Sequence, residues 1–233
     1  GSEMCIRDRF NTMLDQIDQL MAAIRRQEEA TRQYELQALS SQINPHFLYN
    51  TLDTIIWMAE FQDSQRVVQV TKSLATYFRL ALNQGKDLIS LSDEINHVRQ
   101  YLFIQKQRYG DKLEYEIDEE PDFDNLVLPK LVLQPLVENA LYHGIKEKEG
   151  QGHIKVSVQK QDTGLVIRIE DDGVGFQAAG DSSQSQLKRG GVGLQNVDQR
   201  LKLHFGDNYQ MKINSAPEKG TTVEIYINKI AIS

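Results

Sequence analysis

The 233 residues carry 26 Lys and Arg against 33 Asp and Glu, a formal net charge of -7, so the chain repels polyanions and nucleic acid is not an expected partner. The single cysteine, Cys5, excludes both an internal disulfide framework and a zinc–cysteine cluster. At 40% hydrophobic and 25% charged the composition is globular, and its densest apolar stretch, Ile55-Ile56-Trp57-Met58-Ala59, is far below the about 20 residues that span a bilayer.

Gly1-Ser2 reads as a cloning remnant. From Phe10 to Ser41 neither Pro nor Gly interrupts the chain, and Phe10, Met13, Ile17, Leu20 and Ile24 recur at alternating spacings of three and four. That is the heptad seam of a parallel coiled coil, or of a plain amphipathic helix packed on its own domain, weakened further on where Gln27, Thr31, Tyr34, Ala38 and Ser41 occupy the core positions. The helical pattern continues through Asn44-Pro45-His46-Phe47-Leu48-Tyr49-Asn50 to about Glu60, with a kink expected just before Pro45. A second helix is expected over residues 64–82, with Val67, Val70, Leu74, Tyr77, Phe78 and Ala81 on one face. Together they predict an antiparallel hairpin. A third helix starts near Ser90 or Ser92 and ends at Tyr109-Gly110, its apolar face formed by Ile95, Val98 and Leu102.

After Gly110 the period changes to two. Strands are expected around Leu113–Ile117, Ile154–Val158, Leu165–Ile169 and Val223–Ile227, with helices at about 131–142 and 192–204. The mixed order predicts a sheet covered by helices on one face. Residues 177–190, rich in Gln, Ser, Gly and Ala, read as a mobile loop. A domain boundary is expected near residue 110.

Four motifs in the second half carry the chemistry. The first is Leu133-Gln134-Pro135-Leu136-Val137-Glu138-Asn139-Ala140-Leu141-Tyr142-His143-Gly144, a helix that sets a carboxylate beside a carboxamide. The Asn139 oxygen suits Mg2+, which takes few protein ligands; a structural hydrogen bond is the plainer alternative. Glu138 points about 100° away from Asn139 on an ideal helix, while His143 shares its face. The second motif, Asp171-Asp172-Gly173-Val174-Gly175-Phe176, follows a strand. It is either a simple turn or a close-approach site whose carboxylate accepts a hydrogen bond from an exocyclic amine. The third, Gly190-Gly191-Val192-Gly193-Leu194-Gln195-Asn196, opens a helix, where free amides and the helix dipole favour phosphate. It lacks the Lys-Ser/Thr of a P-loop and the spacing of a dinucleotide fingerprint. The fourth, Gly220-Thr221-Thr222-Val223, enters a strand.

In this order the four motifs resemble the N, G1, G2 and Gly-Thr boxes of the GHKL ATP-binding superfamily, which includes gyrase, Hsp90, MutL and histidine kinases. With Asn44-Pro45-His46-Phe47-Leu48-Tyr49-Asn50 upstream, residues 36–228 resemble the LytS/YesM-like sensor histidine kinases of bacterial two-component systems. The resemblance implies a fold of class α + α/β: an N-terminal coiled coil (1–35), a dimerising hairpin with the histidine phosphotransfer helices (36–110), and a GHKL-type α/β sandwich (111–233). It implies that His46 accepts a phosphoryl group from ATP, that Asn139 binds Mg2+, and that Asp171 reads the adenine amine. It further implies that Gly173 and Gly175 shape the base pocket, that Gly191, Gly193 and Leu194 lie against the phosphates, that Thr221 supports the adenine end, and that His143 and Lys146 belong to the ATP site. Residues 177–189 become a lid.

His46 stands apart from His97, His153 and His204, which read as surface or capping residues, because Asn50 follows it by one helical turn and Pro45 loosens the helix beside it. A neutral imidazole nitrogen is a competent nucleophile. Asn50 is a candidate for the reverse hydrolysis and Glu138 for general base, since Phe47 stands where commoner histidine kinases place an acid after the phosphoacceptor. The implied partners are a second copy of the chain, forming a homodimer, and the receiver domain of a response regulator. An upstream transmembrane and sensor region is also implied, which makes this the cytoplasmic portion of a bacterial cell-membrane sensor. The alternative within the superfamily is an ATPase switch or protein-serine kinase using the same pocket; a non-catalytic dimeric scaffold is a third reading.

Overall fold

Alternation of Ile, Val and Leu with polar residues fixes one buried face on each strand, and in the computed structural model those faces build a five-stranded mixed sheet. The structure describes residue 21 and residues 44–82, 86–119, 126–161, 164–176 and 191–228. The coiled-coil seam expected from Phe10 to Ser41, the lid over 177–189 and Gly190 lie outside the described residues, apart from helical Met21. The chain divides into two units, Gly1–Leu48 and Tyr49–Ser233.

The described part of the first unit ends in a helix start. Helix α1 (Pro45–Glu60) has Pro at its first position, where a missing N–H costs nothing, and the Asn44 side-chain oxygen accepts from His46 N at 3.1 Å and Phe47 N at 3.3 Å. Asn44 is therefore a cap at the start of α1, and the stretch before it, where the sequence predicts a kinked helix, lies outside the described residues.

In the second unit α1 turns at Phe61-Gln62-Asp63 into α2 (Ser64–Leu82), with Gln62 at φ 60° and Asp63 Oδ1 accepting from Arg66 N at 3.2 Å. Then follow β1 (Leu88–Ser90), α3 (Leu91–Tyr109), β2 (Leu113–Glu119) and β3 (Val127–Pro129). Helix α4 (Gln134–Asn139) runs into a π-helix (Ala140–Ile145). The chain continues as β4 (Gly152–Gln161), β5 (Gly164–Asp171), α5 (Gly191–Phe205), β6 (Tyr209–Ala216) and β7 (Gly220–Asn228).

The sheet order is β2-β4-β5-β7-β6, with β2 parallel to β4 and the other pairs antiparallel. Ile154, Val156, Val158, Ile167, Ile169, Val223 and Ile225 line the buried face, which the helices cover. The opposite face is polar: Arg168 pairs with Glu224 at 2.7 Å and Lys155 with Glu116 at 3.3 Å. Four of these five strands answer to the sequence pattern; β6 was not expected. A small antiparallel pair, β1 with β3, crosses the boundary expected near residue 110, and Lys130 N donates to Asp87 O across it.

Helix α3 starts where Ser90 Oγ accepts from Asp93 N at 3.0 Å and stops at Gly110, φ 58°. It is buried on two sides. Besides its apolar face, the polar stripe Glu94, His97, Tyr101 and Gln105, spaced three, four and four, is also closed off. His97 is thus fully buried, contrary to the surface or capping role its neighbours in sequence indicated. Its ring stacks on Tyr77 of α2 at 4.3 Å, neither ring nitrogen has a hydrogen-bond partner among the described residues, and burial lowers its pKa to about 4. Glu94 is satisfied instead: its carboxyl oxygens accept from Leu131 N at 2.9 Å and Leu133 N at 2.8 Å, just before α4. The clamp holds Leu131 at φ 57°, a conformation costly for a branched side chain, while Arg200 of α5 donates to Lys130 O at 2.7 Å. One short loop thereby registers α3, α4 and α5 against each other.

Candidate active site

The π-helix sets up the site. Lys146 N donates to Leu141 O at 2.8 Å, one residue further back than an α-helix allows, and the wider turn brings Asn139, Ala140, His143 and Gly144 to the wall of one cavity. Facing them, β5 ends at Asp171, which is paired in register with Thr221 of β7.

Asp171 Oδ1 accepts from Gly173 N at 2.9 Å. Burial pushes its carboxyl up to about 6, against the pull of the Gly173 and Thr221 N–H groups. The adjacent Asp172 does the opposite. Burial disfavours its charge, but the His153 N–H at 2.7 Å and Lys148 at 2.9 Å outweigh that and hold it below the usual carboxylate range. The Asp-Asp pair is thus split between a cavity residue and a scaffold residue.

Two glycines make the close approach possible. A Cβ at Gly173 would strike the backbone of Gly144, whose carbonyl accepts from Val174 N at 3.3 Å. Gly220 sits at φ 80° with its Cα against the Asp171 carbonyl, where any side chain would collide. Thr221 Oγ1 lies 2.9 Å from Ser215 Oγ, which also accepts from Phe176 N at 2.9 Å.

The cavity encloses about 190 Å³. Of the residues the sequence singles out, it is lined by Asn139, His143, Asp171, Gly175, Leu194 and Thr221; Leu136, Ala140, Gly144, Ile169, Phe176 and Val223 complete it. Mostly apolar walls around one amine-accepting carboxylate suit a flat heterocycle with an exocyclic amine. Gly144 and Phe176 stood at the ends of the first two motifs; Ser215 had no signal, since its strand went unrecognised.

Several expected site residues lie off the cavity wall. Glu138 turns toward the helices: its Oε1 accepts from Gln134 Nε2 at 2.7 Å and burial raises its carboxyl. Lys146 is exposed, its Nζ 5.9 Å from the centre of the Tyr142 ring. Gly193, in the first turn of α5, has Pro135 as its nearest neighbour, and Gly191 is the first residue of that helix. His46 belongs to the first unit, exposed on the opening turn of α1, whereas the cavity belongs to the second. Asn50 has its side-chain nitrogen buried without a hydrogen-bond partner among the described residues. No group of three or more His, Cys, Asp or Glu among the described residues could hold a metal ion.

A mixed sheet, one-sided helices and a cavity closed by glycine turns around a half-buried carboxylate define an ATP-binding module of the GHKL type. Residues 125–230 match the family described as "Histidine kinase-, DNA gyrase B-, and HSP90-like ATPase", and residues 34–113 match "Histidine kinase". The chain belongs to the sensor histidine kinase family. It is 34% identical over 218 residues to sensor histidine kinase YesM of Bacillus subtilis, covering 94% of this chain and 37% of the relative. It is 36% identical over 196 residues to sensor protein LytS of Streptococcus mutans (81% and 33%), and 37% identical over 226 residues to the Bacillus subtilis protein YwpD (94% and 78%). The chain spans about a third of the length of YesM and LytS. No helix among the described residues is long and apolar enough to cross a membrane.

Proposed function

We propose that the chain is the kinase portion of a two-component sensor: it binds ATP in the cavity, transfers the γ-phosphoryl group to His46, and passes it on to an aspartate in the receiver domain of a response regulator. The observation that carries this reading is the convergence of residues from all four motif boxes on one cavity with Asp171 in its wall. Asp171 accepts the adenine amine, while Asn139 and His143 face the phosphates.

Mg2+ fits the donor set only as a companion of the nucleotide, because Asn139 offers one neutral oxygen and no carboxylate cage surrounds it among the described residues. When bound, it offsets charge on the phosphates. The chain's own part is alignment, exclusion of water by the apolar walls, and presentation of the imidazole. In the transfer a His46 ring nitrogen attacks the γ-phosphorus, the bond from that phosphorus to the ADP oxygen breaks, and the ring proton leaves to solvent. Phe47, next to His46, has no ionisable group to act as a base, and the Glu138 carboxyl accepts a hydrogen bond from Gln134.

The homodimer reading is supported by α1, where Tyr49, Leu52, Ile56 and Trp57 are exposed at helical spacing; Phe61, in the turn that follows, is 69% accessible. Such a stripe fits a second copy, as in a four-helix bundle. The test is incubation with γ-labelled ATP and Mg2+. His46→Ala is expected to take up no label yet still bind nucleotide, Asp171→Ala to lose both, and the wild-type label to be lost in acid. Label on His46→Ala, or acid-stable label, would overturn the assignment.

A further inference from the structure

A polar bridge joins α2 to the helix that carries Asn139. Gln134, the first residue of α4 and 8% exposed, donates from its amide nitrogen to Tyr77 Oη at 2.8 Å and to Glu138 Oε1 at 2.7 Å. An amide NH2 has two hydrogens, so both are used. The Tyr77 ring is 2% exposed and held on one side by the His97 stack and on another by the edge of Phe78 at 5.4 Å. Glu138 is the sequence neighbour of Asn139, and Gln105 of α3 reaches Tyr142 Oη, one turn further along, at 3.5 Å. Buried bonds of this kind specify geometry, because breaking one leaves a desolvated group unpaired. Neither Tyr77 nor Gln134 nor Glu138 lines the nucleotide cavity, so the bridge does not act as a binding contact.

Resting on the kinase reading above, we propose that Gln134 is a positioning residue, which fixes the Asn139 helix to α2 so that a displacement of the hairpin and the occupancy of the nucleotide cavity act on each other. The bond from Gln134 to Glu138 spans one turn of α4, so a shift of Tyr77 bears on the axis of that helix. Coupling between two places is reciprocal, and nucleotide must therefore steady α2 as much as α2 steadies the site.

The experiment is hydrogen exchange of the whole chain with and without saturating Mg-ADP, on wild type and Tyr77→Phe, which removes one hydroxyl and leaves the ring stack. In wild type, nucleotide is expected to slow exchange across residues 70–82 about fivefold, the equivalent of one hydrogen bond. In Tyr77→Phe that slowing is expected to vanish while residues 164–172 remain protected by nucleotide. At saturating ATP the variant's rate of labelling His46 is expected to fall by a similar factor, and Gln134→Leu added to Tyr77→Phe is expected to lower it no further. Exchange in α2 that ignores nucleotide in wild type, equal slowing in both proteins, or an unchanged labelling rate overturns the proposal. A wild type that binds nucleotide but never labels His46 defeats the kinase reading alone, and the exchange data still decide the coupling.

Discussion

Asp171 should make adenine binding pH-dependent in a way that carbonyl acceptors cannot. Only the ionised carboxylate is free to accept a hydrogen bond at both oxygens, and burial has moved its pKa to about 6 from the ordinary 3.8. Affinity for adenosine, which has no phosphate to titrate, should therefore be level above about pH 7, halve near pH 6, and be down about tenfold at pH 5. His143 also lines the cavity, so the series is run in a His143→Gln background by calorimetry. Asp171→Asn should give weak and level binding. The same shift has a cost in stability of the opposite sense. Because the folded pKa is raised, the contribution of Asp171 is fully present below about pH 4 and is lost as pH rises through about 6, an effect of at most about 3 kcal/mol, reduced by its partial exposure. The Asn variant should thus unfold at higher denaturant concentration than wild type at pH 7.5 and converge with it near pH 4. Adenosine affinity that is level from pH 8 to pH 5, or that slopes equally in Asp171→Asn, would refute the reasoning.

Two further outcomes follow from the buried stripe of α3. Glu94→Gln keeps one acceptor oxygen but turns an NH2 toward a backbone N–H, and should cost about 1–3 kcal/mol in urea unfolding; a change below about 0.5 kcal/mol would show that the loop before α4 holds its shape unaided. His97 has a lowered folded pKa, so wild type should lose stability as pH falls from about 6.5 to 4, and the difference from His97→Phe, which keeps the stack on Tyr77, should grow over that window. Parallel curves for the two proteins would mean that the imidazole is protonated where it lies.

The sequence made the helical hairpin, α3 and four of the five sheet strands legible because each has a long run of one period or a clear stop such as Gly110. It also brought out Asn139, His143, Asp171, Gly175, Leu194 and Thr221, which the fold does gather around one cavity. What escaped has identifiable causes. Strand β6 buries only Met211 and Ile213 as large apolar side chains, too few for alternation to stand out beside its polar residues. The three-residue strands β1 and β3 are shorter than any periodic signal. The face of α3 with Glu94, His97, Tyr101 and Gln105 has the composition of a solvated surface, and only the packing of α2 and α4 reveals it as interior. Residue direction is also a tertiary fact. Glu138 and Asn139 are neighbours in the chain, yet one faces the helices and the other the cavity.

The π-helix over Ala140–Ile145 implies a rule about length. A π-turn holds one residue more than the α-turn it replaces, so removal of a single residue there would allow relaxation to an ordinary α-helix. The chain beyond would keep nearly its present phase, because the wide turn already absorbs the extra residue, but the bulge that carries Ala140, His143 and Gly144 to the cavity wall would tighten. Gly144 would leave the Asp171 carboxyl and the Val174 amide, and the cavity wall would open. Among the sequences of this family, substitution in this segment should therefore be common at exposed positions, while its residue count should hardly vary.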